Sequence, residues 1–102
     1  LNLKQKLTYN IFINKEKQKI DIEQDIKAYN ETKETIEELK ENIDKLKTTL
    51  DLIDENHENY DEIKKAYDDL TTELKHLKDE LEKLSENIEY KKAFLEDDNI
   101  EK

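Results

Sequence analysis

His57 and His76 are the side chains of this 102-residue chain best suited to proton transfer or metal ligation near neutral pH. They stand 19 residues apart, no cysteine accompanies them, and neither belongs to a His-Glu-x-x-His spacing. Zinc needs three or four convergent ligands, so no zinc site is expected, and His57 reads as a polar seam or loop residue. A calcium loop starting at Asp54 would place Asn56 and Glu58 well. It lacks the sixth-position glycine and has Lys65 where the bidentate glutamate belongs, so that match fails. The chain has no glycine from which to build a phosphate-cradling loop. No Ser–His or paired-carboxylate set stands out on an apolar background. The expectation is a protein without catalytic, cofactor-binding or metal-binding residues, and not an enzyme.

The composition narrows the class further. Charged residues make up 45% of the chain and hydrophobic ones 33%, which is too little apolar material for a compact single core and, by averages alone, resembles a disordered chain. The net charge is −10 and all 18 basic residues are lysine. Contact with a nucleic-acid backbone needs a basic face, so no nucleic-acid contact by this segment is expected, and acidic membrane surfaces are disfavoured for the same reason. No window approaches the roughly 18 apolar residues of a membrane span. Without cysteine there is no disulfide framework, and the redox compartment stays open. The chain does not begin with methionine and contains none, as expected of a piece excised from a longer protein, whose targeting signals would then be out of view.

Periodicity overrules the disordered reading. Ile36, Leu39, Ile43, Leu46, Leu50 and Ile53 step by three and four, and so do Tyr60, Ile63, Tyr67, Leu70, Leu74, Leu77, Leu81, Leu84 and Ile88. A 3.5-residue average puts each series on one narrow helical stripe, the a and d positions of a coiled coil. The flanking positions are polar, among them Lys40, Lys47, Lys64, Glu73, Lys78 and Glu80. So narrow a stripe suits a two-stranded contact. Glu23–Lys27, Glu41–Lys45, Asp61–Lys65 and Asp79–Lys83 are acid-before-base pairs four apart, the favoured orientation on a helix. Upstream the stripe runs weakly through Ile22, Ile26 and Tyr29, with a soft spot at Thr32 or Lys33. The fold class is all-α, a long two-stranded coiled coil.

The two series differ in phase, because the regular pattern after Ile53 calls for Lys64 where the apolar residue is Ile63. Either one continuous helix overwinds locally and pairs in a parallel dimer, or residues 54–59 form a turn and the arms pack as an antiparallel helical hairpin. Folding back about residues 56–57 sets Ile53 against Tyr60, Leu50 against Ile63, Leu46 against Tyr67 and Ile36 against Leu77, always an a position against a d position. Asn59 with Glu62 forms a capping-box pattern, and Asn56 suits a left-handed helix end. Against the hairpin stand Asp51, Asp54 and Glu55 at the negative end of the first arm, the absence of a loop glycine, and Lys47 brought near Lys64. The parallel dimer has its own support: Ile at a with Leu at d is the two-stranded preference, and Glu73 can pair with Lys78 of a partner helix. The hairpin is the expectation, with the parallel dimer as the alternative.

Leu1, Leu3, Leu7, Tyr9, Ile11 and Ile13 alternate with mostly polar residues. Period two with β-branched and aromatic side chains predicts a short β segment within 1–17, which would form the edge of a neighbouring domain. A helix with Leu3, Leu7 and Ile11 on one side is the competing assignment. The expected division is therefore an N-terminal segment 1–17, a coiled coil 18–95 with arms 18–53 and 60–95, and an acidic solvated tail 96–102. Tyr60, Tyr67 and Tyr29 belong to the seam, while the pattern assigns no position to Tyr9 and Tyr90.

The heptads resemble the rods of kinetochore, chromosome-organising, tethering and cell-surface coiled-coil proteins, and are too degenerate to choose among them. The expected function is a structural spacer or oligomerisation module mediating protein–protein assembly within a larger protein. Its partner would be a second copy, as a homodimer, or another coiled-coil chain. The alternative is the helical receptor-binding region of a surface antigen or adhesin. An intracellular location is preferred to the cell surface, on no residue signal of its own.

Overall fold

The computed structural model describes the backbone from Asn2 to Ile100 and the side chains from Asn2 to Glu96. Two helices, α1 (Leu3–Leu52, 50 residues) and α2 (Tyr60–Ile100, 41 residues), form an antiparallel helical hairpin. The absence of glycine and proline leaves nothing to interrupt either helix. Thr8, Thr35, Thr48, Thr49, Thr71 and Thr72 fit into them by donating their hydroxyls to the carbonyls four residues back.

The β segment expected within 1–17 is not formed: α1 begins at Leu3, and no strand occurs among the described residues. Asn2 and Gln5 supply the reason. The Gln5 amide donates to Asn2 Oδ1 at 2.8 Å, and the Asn2 amide donates to Gln5 Oε1 at 3.1 Å. This reciprocal capping box satisfies amides that a helix start otherwise leaves orphaned. A strand here would need neighbouring strands to satisfy its backbone, and a helix needs none. At the other end of the chain the backbone stays helical through Ile100. Of the expected acidic tail 96–102, the side chains beyond Glu96 lie outside the described residues.

Residues 53–59 turn the chain. The His57 amide donates to the Asp54 carbonyl at 2.9 Å, and the Asn56 amide to Asp54 Oδ1 at 3.1 Å. The Tyr60 amide then donates to the His57 carbonyl at 3.1 Å, and the Asn59 amide to His57 Nδ1 at 3.1 Å. Two consecutive turns thus hand the chain from α1 to α2. No described residue has a positive φ, so Asn56 does not take the left-handed conformation expected of it. The Asn59 amide goes to His57 and not to Glu62, so the expected capping box at α2 is replaced by a histidine acceptor. Asp61 and Glu62 still occupy the first turn of α2, where the helix dipole favours acids. The last turn of α1 lacks a basic residue. The dipole term at stake there is at most about 1 kcal/mol at an exposed end, small beside about 1.5–3 kcal/mol for each fully buried Leu or Ile.

The chain divides into two compact units. The first comprises residues 1–29 and 83–102, and the second, which contains the turn, residues 30–82.

Candidate interaction surface

In the second unit, Ile36 and Leu39 are buried, at 4% and 8% exposure. Ile43, Leu46, Leu50, Ile53, Tyr60, Ile63, Tyr67, Leu70, Leu74, Leu77 and Leu81 are half-buried, while Lys40, Lys47, Lys64, Glu73, Lys78 and Glu80 beside them are exposed. Thr32 is half-buried and Lys33 exposed, so the threonine occupies the soft position of the stripe. His57 lies exposed in the turn and His76 exposed on α2. Among the described residues, no three of His, Cys, Asp or Glu gather where they could hold a metal ion.

In the first unit, Ile22 is buried, and Ile26, Tyr29, Leu84, Ile88 and Leu95 are half-buried. The ordering polar contact is Lys91. Its ammonium reaches Asp21 Oδ2 at 2.8 Å and Asp25 Oδ2 at 2.6 Å, gripping two carboxylates one turn apart on α1. The hydrogen bonds to Asp21 and then Asp25 raise the Lys91 pKa above the ordinary lysine value of 10.5. This cross-helix clamp had no counterpart among the i, i+4 pairs expected from sequence. Glu23–Lys27, Glu41–Lys45, Asp61–Lys65 and Asp79–Lys83 do not close within 4 Å, whereas Glu16–Lys19 at 3.2 Å and Glu37–Lys40 at 3.7 Å do, at a spacing of three. Exposed pairs gain too little to fix a long side chain in one rotamer.

Beside Lys91 lies an open cleft of about 220 Å³ lined by Gln18, Asp21, Tyr90, Lys91 and Phe94. Gln18 holds its Oε1 out of water with no hydrogen-bond donor. The first unit exposes apolar side chains that its own packing does not use: Tyr90 is 73% exposed, Phe94 50%, Phe12 58% and Tyr9 60%. Leu3, Leu7, Ile11 and Ile20 are exposed in the same unit. In the second unit the one large hydrophobic side chain so exposed is Leu52, at the end of α1.

Charge is partitioned in the same way. The second unit holds eight lysines and eighteen carboxylates, while the first holds ten of each. The whole net charge of −10 therefore belongs to residues 30–82, and the apolar-surfaced unit is neutral. These are the features sequence reasoning missed. The available signal lay in Tyr9, Phe12, Tyr90 and Phe94, large apolar residues off the stripe, and in a lysine-rich start to an acidic chain.

No helix among the described residues is long and apolar enough to cross a membrane. No protein-family model matches the chain, and neither curated proteins nor solved structures yield a match. What the geometry shows is a two-helix, coiled-coil-like hairpin, compatible with a structural module.

Proposed function

We propose that this hairpin is a non-catalytic assembly module, a structural coiled-coil element through which a larger protein associates with protein partners. One observation carries the proposal: large apolar side chains, four of them aromatic, stand exposed on a single neutral unit, while in the other unit only Leu52 is so exposed. Aromatic residues are the side chains that most often anchor protein interfaces. A spacer alone would need no such surface.

The test replaces residues 3–100 by a short flexible linker in the full-length protein and measures the native mass of its complexes. Loss of assembly is the expected result. Complexes of unchanged mass and composition would refute the proposal. Loss of receptor binding at the cell surface with intracellular assembly intact would transfer the module to the adhesin class.

A further inference from the structure

Two charged side chains occupy the stripe in the first unit. Counted in heptads back from Ile36 and Leu39, Asp25 takes a d position, and counted on from Leu84 and Ile88, Lys91 takes one too. Their burial agrees with that count. The Asp25 side chain is 21% exposed and the Lys91 side chain 34%, against 54% for Asp21 beside them. The apolar part of the stripe leaves the pairing open. Sliding one arm by a heptad sets Leu39 against Leu81 and Leu46 against Leu74, or in the other direction Ile36 against Leu70 and Ile43 against Ile63. Each is again an a position against a d position. Such a slip forfeits only two half-buried side chains beside the turn, Tyr60 and Ile63 or Leu50 and Ile53. The longer turn it creates costs little closure entropy. A parallel pair of continuous helices would likewise match apolar with apolar along the stripe.

We propose that Lys91 and Asp25 select the pairing: they commit the chain to an antiparallel hairpin in this register, against slipped hairpins and against a parallel pair of chains. In the hairpin Lys91 lies opposite Ile22 and reaches the carboxylates on either side of it, Asp21 at 2.8 Å and Asp25 at 2.6 Å. A slip of one heptad puts Lys91 opposite Tyr29, with Ala28 and Thr32 where the carboxylates stood. The reverse slip puts it opposite Lys15, with Asn14 and Gln18 in those places. Neither register offers a carboxylate, and the second adds a like charge. In a parallel pair d positions meet d positions, so Lys91 and Asp25 would each face their own counterpart. A charge held at a seam without its counter-ion is penalised, and the hairpin alone among these pairings avoids that. One polar residue at a seam position is enough to specify register and number of strands.

The test places spin labels on Thr35→Cys and Lys64→Cys, exposed positions on the two arms of the second unit. Pulsed dipolar spectroscopy reads their separation, with labelled chains diluted in unlabelled ones so that only distances within a chain are seen. In this register the labels stand about 21 Å apart along the hairpin, a one-heptad slip changes that by about 10 Å, and a continuous helix separates them by about 43 Å. The otherwise unmodified chain should give a single distance. Asp25→Leu/Lys91→Leu makes the stripe apolar at both positions and should split that distance, adding populations displaced by about 10 Å or at the continuous-helix value. Asp25→Asn/Lys91→Gln removes the charges at nearly constant size and should split it as well, which keeps the test open if the leucine variant aggregates. Lys91→Arg keeps the charge and should hold the single distance. Several distances in the unmodified chain, or a neutral variant that is helical by far-UV circular dichroism and keeps the single distance, would overturn the proposal. So would a Lys91→Arg chain that splits, since charge would then not be what selects.

Discussion

Lys91 shows how much a single side chain can settle. Its bonds to Asp21 and Asp25 raise its pKa, so the folded chain holds that proton more tightly than the unfolded one. The associated stabilisation is fully present below the unfolded lysine value of about 10.4 and fades as pH climbs through the higher folded value. The melting-temperature gap between wild type and Lys91→Met should therefore stay level from neutral pH to about pH 10 and close above it. A gap that persists unchanged into stronger alkali would show that the ammonium is not what the clamp uses. Folding the chain about residues 56–57 places Lys91 opposite Ile22, between the two aspartates in register. The clamp was thus legible once the antiparallel register was carried past Ile88. Pairs four apart were legible too and did not form, because local spacing alone does not order two solvated side chains.

Among the elements, the helical arms were visible in the stripe from Ile36 to Ile88, since burial along a seam imposes the 3.5-residue period. The half-buried state of that stripe makes a sharp comparison possible. Leu74→Asp places a carboxylate against apolar neighbours and should cost several kcal/mol, whereas Asp79→Ala on the exposed side should cost a few tenths. Equal melting temperatures for the two variants would remove Leu74 from the seam. The start of α1 was misread because alternation in Leu3, Tyr9, Ile11 and Ile13 fits a strand as well as a helix. The deciding signal, Asn2 followed by Gln5, was present and is a helix-start pattern. The turn was located correctly near 54–59, and its chemistry was not, because Asp54 and His57 accept the amides that a left-handed asparagine would have organised. Asn56→Gly should accordingly lower stability by about 0.5–1 kcal/mol, since glycine adds unfolded-state freedom where no positive φ is needed. A stabilising Asn56→Gly, measured by thermal or urea unfolding, would mean the turn does use a left-handed residue.

For the whole molecule, hairpin and rod are separated by one distance within the second unit. Spin labels on Thr35→Cys and Lys78→Cys, both exposed positions, should lie within about 20 Å across two packed helices. Along a single continuous helix those 43 residues would span about 65 Å. Pulsed dipolar spectroscopy reading the longer value would replace the hairpin by the rod. The division into a charged unit and a neutral, apolar-surfaced one was not legible from the stripe, because heptads repeat without regard to what the outer faces carry. It follows instead from where lysines and off-stripe aromatics fall along the chain, and it begins at Tyr29 and Asn30, next to the soft spot at Thr32. The reversal at 53–59 has a mechanical consequence. Because α1 starts and α2 finishes in the same unit, the hairpin joins any longer polypeptide as a side branch, not as a strut in the line of the chain. Tension on the flanking segments would pull the two arms of the first unit apart sideways, and the clamp from Lys91 to Asp21 and Asp25 is the polar contact that would resist it there.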